Sequence, residues 1–236
     1  MKLRKAVLLI HGFAGGTYDM ESIAWRLQRC LALDVYQFTL PGHGYKAKEI
    51  LNYKDWIKAT EERVKSLINA GYSDIYVVGH SMGGVIACVM ASKYSEIKKV
   101  VLAAPAFKYI AEKENFNLKK ANSIINDYGF EELTYRFFSK LPPSAMLEFV
   151  ELVKKYQNTP KNINVPILIL QGTKDLVVPV TSSEYVFDNV QSKEKGLIYL
   201  TKTNHEVFSS SQKGQINIKI EQFLLRGKIE SDKEYI

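Results

Sequence analysis

No apolar run in this sequence approaches the ~18–20 residues that a membrane-spanning helix needs, which excludes a helical transmembrane protein. Cysteine is nearly absent: the 236 residues hold two, Cys30 and Cys88. That excludes a disulfide scaffold, and both are expected to be buried free thiols in a reducing compartment. Internal repeats and low-complexity segments are missing as well. Histidine is scarce, with four in the chain, so any chemistry that needs a neutral-pH base has few candidates. What is present is ordinary globular material, 46% apolar and 24% charged. A chain of this length is enough for one domain, or one domain with an insertion.

The formal charge of +7 raises nucleic acid or an anionic membrane as partners. The basic residues are scattered among acidic ones, however, and the longest cluster is Lys2-Leu3-Arg4-Lys5. A solvated lysine-rich surface is expected, with no nucleic-acid partner and no stable membrane insertion. Together with residues 6–10, the basic start imitates a signal peptide. Its apolar run stops after five residues at His11-Gly12, short of the ~7–15 that a signal needs. It reads as a strand, and a cytoplasmic protein is expected. Oligomeric state stays open.

Short apolar runs alternate with helical patterns. Residues 6–10, 35–40, 75–78, 100–104, 165–170 and 197–200 read as strands, several continuously apolar as in a parallel sheet buried on both faces. Met20, Ile23, Ala24, Leu27 and Leu31 recur at helical spacing. So do Trp56, Ile57, Val64, Leu67 and Ile68, with Gly71 as the terminating residue. Val85, Ile86, Val89 and Met90 form a third stripe, and Ile216, Ile220, Phe223 and Leu224 a fourth. The alternation predicts an α/β fold with a mostly parallel, doubly wound sheet. Residues 1–105 and 165–230 are its core. Residues 106–164 lack a convincing strand, are dense in aromatics and are too long for a loop, so they are expected to form a helical cap insertion. The polar tail from Ser231 to Ile236 is expected to fray.

The strongest chemical signal is Gly79-His80-Ser81-Met82-Gly83-Gly84, lying between a strand and a helix. That is the context in which G-x-S-x-G makes a sharp turn that exposes a nucleophilic serine, with unpaired helix N–H groups behind it. Of the four histidines, His11 and His43 sit in the turn motifs His11-Gly12-Phe13 and Pro41-Gly42-His43-Gly44. His80 adjoins the serine, where the tight turn should point its side chain elsewhere. His205, in the loop after the last strand, is left as the base. Asp175, in Gly172-Thr173-Lys174-Asp175, is the carboxylate that would orient it; Asp188, the other acid considered, falls within a helical stretch. The order Ser81, Asp175, His205 belongs to this strand–helix architecture. The backbone N–H groups of Phe13 and Met82 are the expected oxyanion hole.

On these motifs, with Gly-x-x-Asp-x-x-Val-Pro and the final His, the sequence resembles an α/β-hydrolase, most similar to bacterial carboxylesterases and monoacylglycerol lipase-like enzymes. Two departures are visible: the antiparallel N-terminal strands common in the family are missing, and Asn204 replaces a frequent Gly before the last His. The resemblance implies the α/β-hydrolase fold and a serine esterase acting on short-to-medium acyl chains. It implies no cofactor, and no cluster has zinc-ligand spacing. Phe137, Phe138 and Phe149 of the cap are expected to bind the acyl chain. The scaffold leaves open an aminopeptidase of the proline iminopeptidase type, with Glu131-Glu132 gripping a substrate amine. It also leaves open a carbon–carbon bond hydrolase or perhydrolase, and a non-enzymatic receptor.

Overall fold

A computed structural model of the chain describes residues 5–44, 52–108, 143–227, 229 and 232–236. Its strands are β1 (Lys5–Ile10), β2 (Leu33–Gln37), β3 (Ile75–His80), β4 (Ile97–Ala103), β5 (Ile167–Gly172), β6 (Lys195–Leu200) and β7 (Lys233–Tyr235). Among the described residues the helices are α1 (Glu21–Gln28), α2 (Tyr53–Asn69), α3 (Met82–Lys93), α4 (Pro143–Tyr156), α5 (Val180–Asn189) and α6 (Lys213–Arg226). The strands form one sheet in the order β2-β1-β3-β4-β5-β6-β7. Every pairing is parallel.

Strand alternation divides the core between the two faces. Ala6, Leu8 and Ile10 of β1, Ile75 and Val77 of β3, and Ile167 and Ile169 of β5 join one apolar cluster with α2, α3, α4 and α5. Their neighbours Val7, Leu9, Tyr76, Val78, Leu168 and Leu170 join a second cluster with α1 and α6. Both faces are covered, which is why the strands read as unbroken apolar runs. Helix α3 is buried from Met82 to Met90 because it lies directly under the sheet centre. Helix α2 starts on Asn52, whose side chain accepts from the Lys54 N–H, and stops at Ala70. Gly71 follows in the left-handed region, φ 91°, as the sequence predicts.

The chain runs from β1 outward to β2 and then returns to β3 on the other side of β1. The reversal opens a crevice at the carboxyl ends of β1 and β3, where α/β sheets place their sites.

Four expectations are corrected. Residues 232–236 of the tail are not frayed. Lys233–Tyr235 adds β7 to the outer edge of β6, with the Tyr235 ring stacked on Tyr199 at 4.6 Å and the Ile236 N–H donating to the Tyr199 carbonyl. Leu31 is 95% exposed, because α1 ends at Gln28 and the helical spacing runs on past it. The second strand ends at Gln37 rather than at residue 40, since the Leu40 N–H turns to donate to His11 Nε2 instead of to the sheet. Cys88 is buried and Cys30 only half-buried, both free; the Cys30 thiol donates to Glu221 at 2.8 Å.

Candidate active site

The loops after β1, β3, β5 and β6 meet at one end of the sheet. Ser81 sits at the tip of the β3–α3 turn with φ 53° and ψ −117°, a conformation strained for any residue with a side chain. Close packing maintains it. A Cβ on Gly83 would lie 2.2 Å from the Ile10 carbonyl oxygen, so only glycine lets α3 begin this near β1. The Ser81 N–H donates to the Ala103 carbonyl, and the Ser81 carbonyl accepts from Gly84 and Ala106. These bonds fix the turn from three directions.

His205 Nε2 lies 3.0 Å from Ser81 Oγ, and His205 Nδ1 lies 2.8 Å from Asp175 Oδ2. Since a carboxylate only accepts, Nδ1–H donates to Asp175 and Nε2 is left to accept the serine proton. The side chains of His205 and Asp175 are 1% and 0% exposed. Asp175 Oδ1 accepts from the Val177 and Val178 N–H groups, both at 2.9 Å. Asp188 lies exposed on α5, away from this line. The structure thus brings together the three residues singled out by their spacing and order.

Burial disfavours charge on all three ionisable groups here, and partners decide the outcome. For His205, burial pulls the pKa down, but the Asp175 charge and hydrogen bond outweigh it and hold it above the ordinary value. For Asp175, burial pushes up, while the His205 charge and the hydrogen bonds from His205, Val178 and Val177 hold the carboxyl below its usual range. For His80, burial and then the His205 charge outweigh the Glu206 and Asp175 charges and keep it low and neutral.

His80 makes no hydrogen bond to the Ser81 hydroxyl, as expected, and the structure adds where its ring goes: to the loop of His205. His80 is 4% exposed, its Nε2–H donates to the His205 carbonyl at 2.9 Å, and the two rings lie 5.0 Å apart. The turn aims the serine outward and leaves the preceding side chain facing the loop of the base. The sequence signal was a histidine that ends an otherwise apolar buried strand.

The loop after β1 comes equally near. A Cβ on Gly12 would stand 3.2 Å from Ser81 Cβ. Ala14 follows with φ 59°. His11 anchors this loop: Nδ1–H donates to the Gly12 carbonyl at 2.7 Å, and Nε2 accepts from Leu40 N–H at 2.9 Å. Phe13 packs its ring against His43, Trp56 and Phe149, with centroids 5.8, 6.2 and 5.5 Å away. Met82 is the first residue of α3 and so has no intrahelical partner for its N–H. Neither its N–H nor that of Phe13 is spent in turn and loop bonds among the described residues.

Of the expected acyl-binding residues, Phe149 lies on α4 and is 7% exposed. Phe137 and Phe138 lie outside the described residues, as do Glu131 and Glu132. Among the described residues no group of three or more His, Cys, Asp or Glu side chains could hold a metal ion. No described helix is long and apolar enough to cross a membrane.

Comparison with known proteins agrees with this architecture. The thermostable monoacylglycerol lipase of Bacillus sp. (strain H-257) is 27% identical over 212 residues, covering 84% of this chain and 82% of that protein. The carboxylesterase of Bacillus subtilis (strain 168) is 24% identical over 232 residues, covering 93% and 92%. The crystal structure of Paleococcus ferrophilus monoacylglycerol lipase superposes with a TM-score of 0.75 at 19% identity, covering 94% of this chain and 95% of that one; this likeness carries the α/β-hydrolase fold. The model of the family described as serine aminopeptidase, S33, matches residues 1–140 and 135–212, and the chain belongs to that family.

Proposed function

We propose that the protein is a serine hydrolase of carboxylic esters, a carboxylesterase or monoacylglycerol lipase for short-to-medium acyl chains. The observation that carries this reading is the hydrogen-bonded line from Ser81 Oγ through His205 to Asp175. Relatives matched over most of their length, a monoacylglycerol lipase and a carboxylesterase, support the choice of an ester.

In this reading Ser81 attacks the ester carbonyl while His205 Nε2 takes its proton, and Asp175 stabilises the imidazolium. The oxyanion is received by the N–H groups of Met82 and Phe13, the first backed by the N-terminus of α3. His205 then protonates the leaving alcohol. In the second half-reaction it deprotonates water, which attacks the acyl-enzyme and frees Ser81. Phe149 of α4, packed on Phe13, is assigned to the wall of the acyl site. The substrate is a small molecule rather than a nucleic acid, and a cytoplasmic location goes with the two unpaired thiols.

The family description supports a second reading, an aminopeptidase on the same site. A panel of p-nitrophenyl esters, monoacylglycerols and amino-acid anilides separates the two, with a fluorophosphonate as probe of the nucleophile. The ester reading expects turnover of esters far above anilides and covalent labelling at Ser81. Faster anilide than ester turnover, or labelling only at another residue, would overturn it.

A further inference from the structure

Apart from its last two residues, β5 is a run of four buried aliphatic side chains, Ile167 to Leu170. Gln171 breaks that run at the catalytic end of the strand, and it is 0% exposed. A buried amide here is costly unless its donors and its acceptor are all satisfied. They are. Gln171 Nε2 donates toward three oxygens: the Gly172 carbonyl at 3.1 Å, the Val178 carbonyl at 3.2 Å and Asp175 Oδ2 at 3.2 Å. Its Oε1 accepts from the Ser183 hydroxyl of α5 at 2.7 Å.

Three acceptors converge on the nitrogen, so the amide cannot turn over; its oxygen would then face two carbonyls and a carboxylate. Glutamate fits the shape and fails the chemistry for the same reason. A neutral donor is needed at this point, and the Ser183 hydroxyl holds its other end. The Asp175 oxygen that it reaches is the one that accepts His205 Nδ1–H. The other carboxylate oxygen is held by Val177 and Val178. Without Gln171, Oδ2 keeps a single hydrogen bond among the described residues, the one to the base itself.

We propose that Gln171, oriented by Ser183, is a positioning residue: its amide holds Asp175 so that Oδ2 faces the imidazole of His205. This rests on the serine-hydrolase reading of the site. Gln171 acts through Asp175 and touches no reacting atom. Losing its donor leaves the carboxylate charge less compensated, so Asp175 holds the imidazolium more strongly and His205 keeps its proton to higher pH. Among the described residues, the other titratable groups acting on His205 and Asp175 are His80, at the end of β3, and Glu206, beside His205. Neither is altered in the test.

The experiment is the pH dependence of the fluorophosphonate labelling rate at Ser81, which needs no knowledge of the substrate. Gln171→Met should lower the plateau rate by about 3–10-fold and move the acid limb up by about half a pH unit. Gln171→Leu, which likewise has no donor, should move it by a similar amount. Ser183→Ala, a small deletion that keeps the amide, should shift it less and in the same direction. On a p-nitrophenyl ester the loss should fall on kcat, with KM little changed. Should the Gln171 variants fail to fold, Ser183→Ala carries the test alone. Folded variants whose acid limb stays at the wild-type pH would overturn the proposal, even if slower, because a merely structural role lowers rate without moving the titration. An unlabelled wild-type protein would instead overturn the serine-hydrolase reading, and this inference with it.

Discussion

Four histidines lie in two pairs at the same end of the sheet, all hidden from water, and one of them differs in character from the other three. His11 and His43 sit 5.3 Å apart beside Phe13, and burial drives their pKa values down to about 3 and about 4. Near Ser81, His80 follows them downward while His205 moves up. Burial alone therefore does not make a base; it makes an obligately neutral ring that anchors loops, as His11 does for Gly12 and Leu40. A carboxylate in contact turns the same buried ring into a group that can accept a proton and keep it for a moment.

The sharpest way to break the contrast is to take that carboxylate away. Asp175→Asn leaves the shape and removes the charge, so His205 should become another neutral anchor in the wrong tautomer. Ester turnover should fall by about 10⁴-fold, far more than KM rises, whereas Asp188→Asn, at an exposed position of α5, should leave it unchanged. Steady-state kinetics on one chromogenic ester decide between the two aspartates.

The neutral pair leaves its mark on stability. Between pH 6.5 and about 4 an unfolded chain takes up protons on His11 and His43 that the folded protein refuses. Their contribution is thus complete above pH 6.5 and is lost as the pH falls. Each should cost about 2 kcal/mol by pH 5. His205, with its raised pKa, works in the opposite sense and offsets part of this. Urea unfolding at pH 7.5 and 5 should therefore show a difference that His43→Phe reduces by about 2 kcal/mol; an unchanged pH dependence in that variant would end the comparison.

A smaller effect sharpens the charged side. Because His205 is held above the ordinary imidazole pKa of 6.5, the acid limb of kcat/KM should lie above that value, with rate dropping about tenfold per pH unit below it. The smallest effect concerns Phe149, packed on Phe13. If its ring walls the acyl site, Phe149→Ala should change the ratio of catalytic efficiencies on butyrate and decanoate esters by about 3–10-fold. Retention of the wild-type ratio in a folded variant would show that this ring only packs.

The serine, aspartate and histidine were legible in the sequence because each follows a strand, and parallel strands deliver their carboxyl ends to one edge. The central strands were legible for a related reason: two covered faces impose long apolar runs. The missed features share a different origin. Strand β7 has no apolar run; Lys233–Tyr235 is placed by contacts with β6, above all Tyr235 on Tyr199. The direction of the His80 ring depends on the backbone of a turn, which composition does not encode. Gln171 left a trace, a lone amide closing an aliphatic strand, but its meaning needed the three oxygens that only the folded chain assembles.

The left-handed turn at Ser81 sets durability against chemistry. At φ 53° and ψ −117° the side chain assigned the attack in the proposed reaction is the one the backbone would rather lose. Ser81→Gly should give a protein that cannot be labelled, yet is more stable than Ser81→Ala by about 1 kcal/mol. Any lineage selected for robustness alone would thus drift downhill toward an inert, tougher relative.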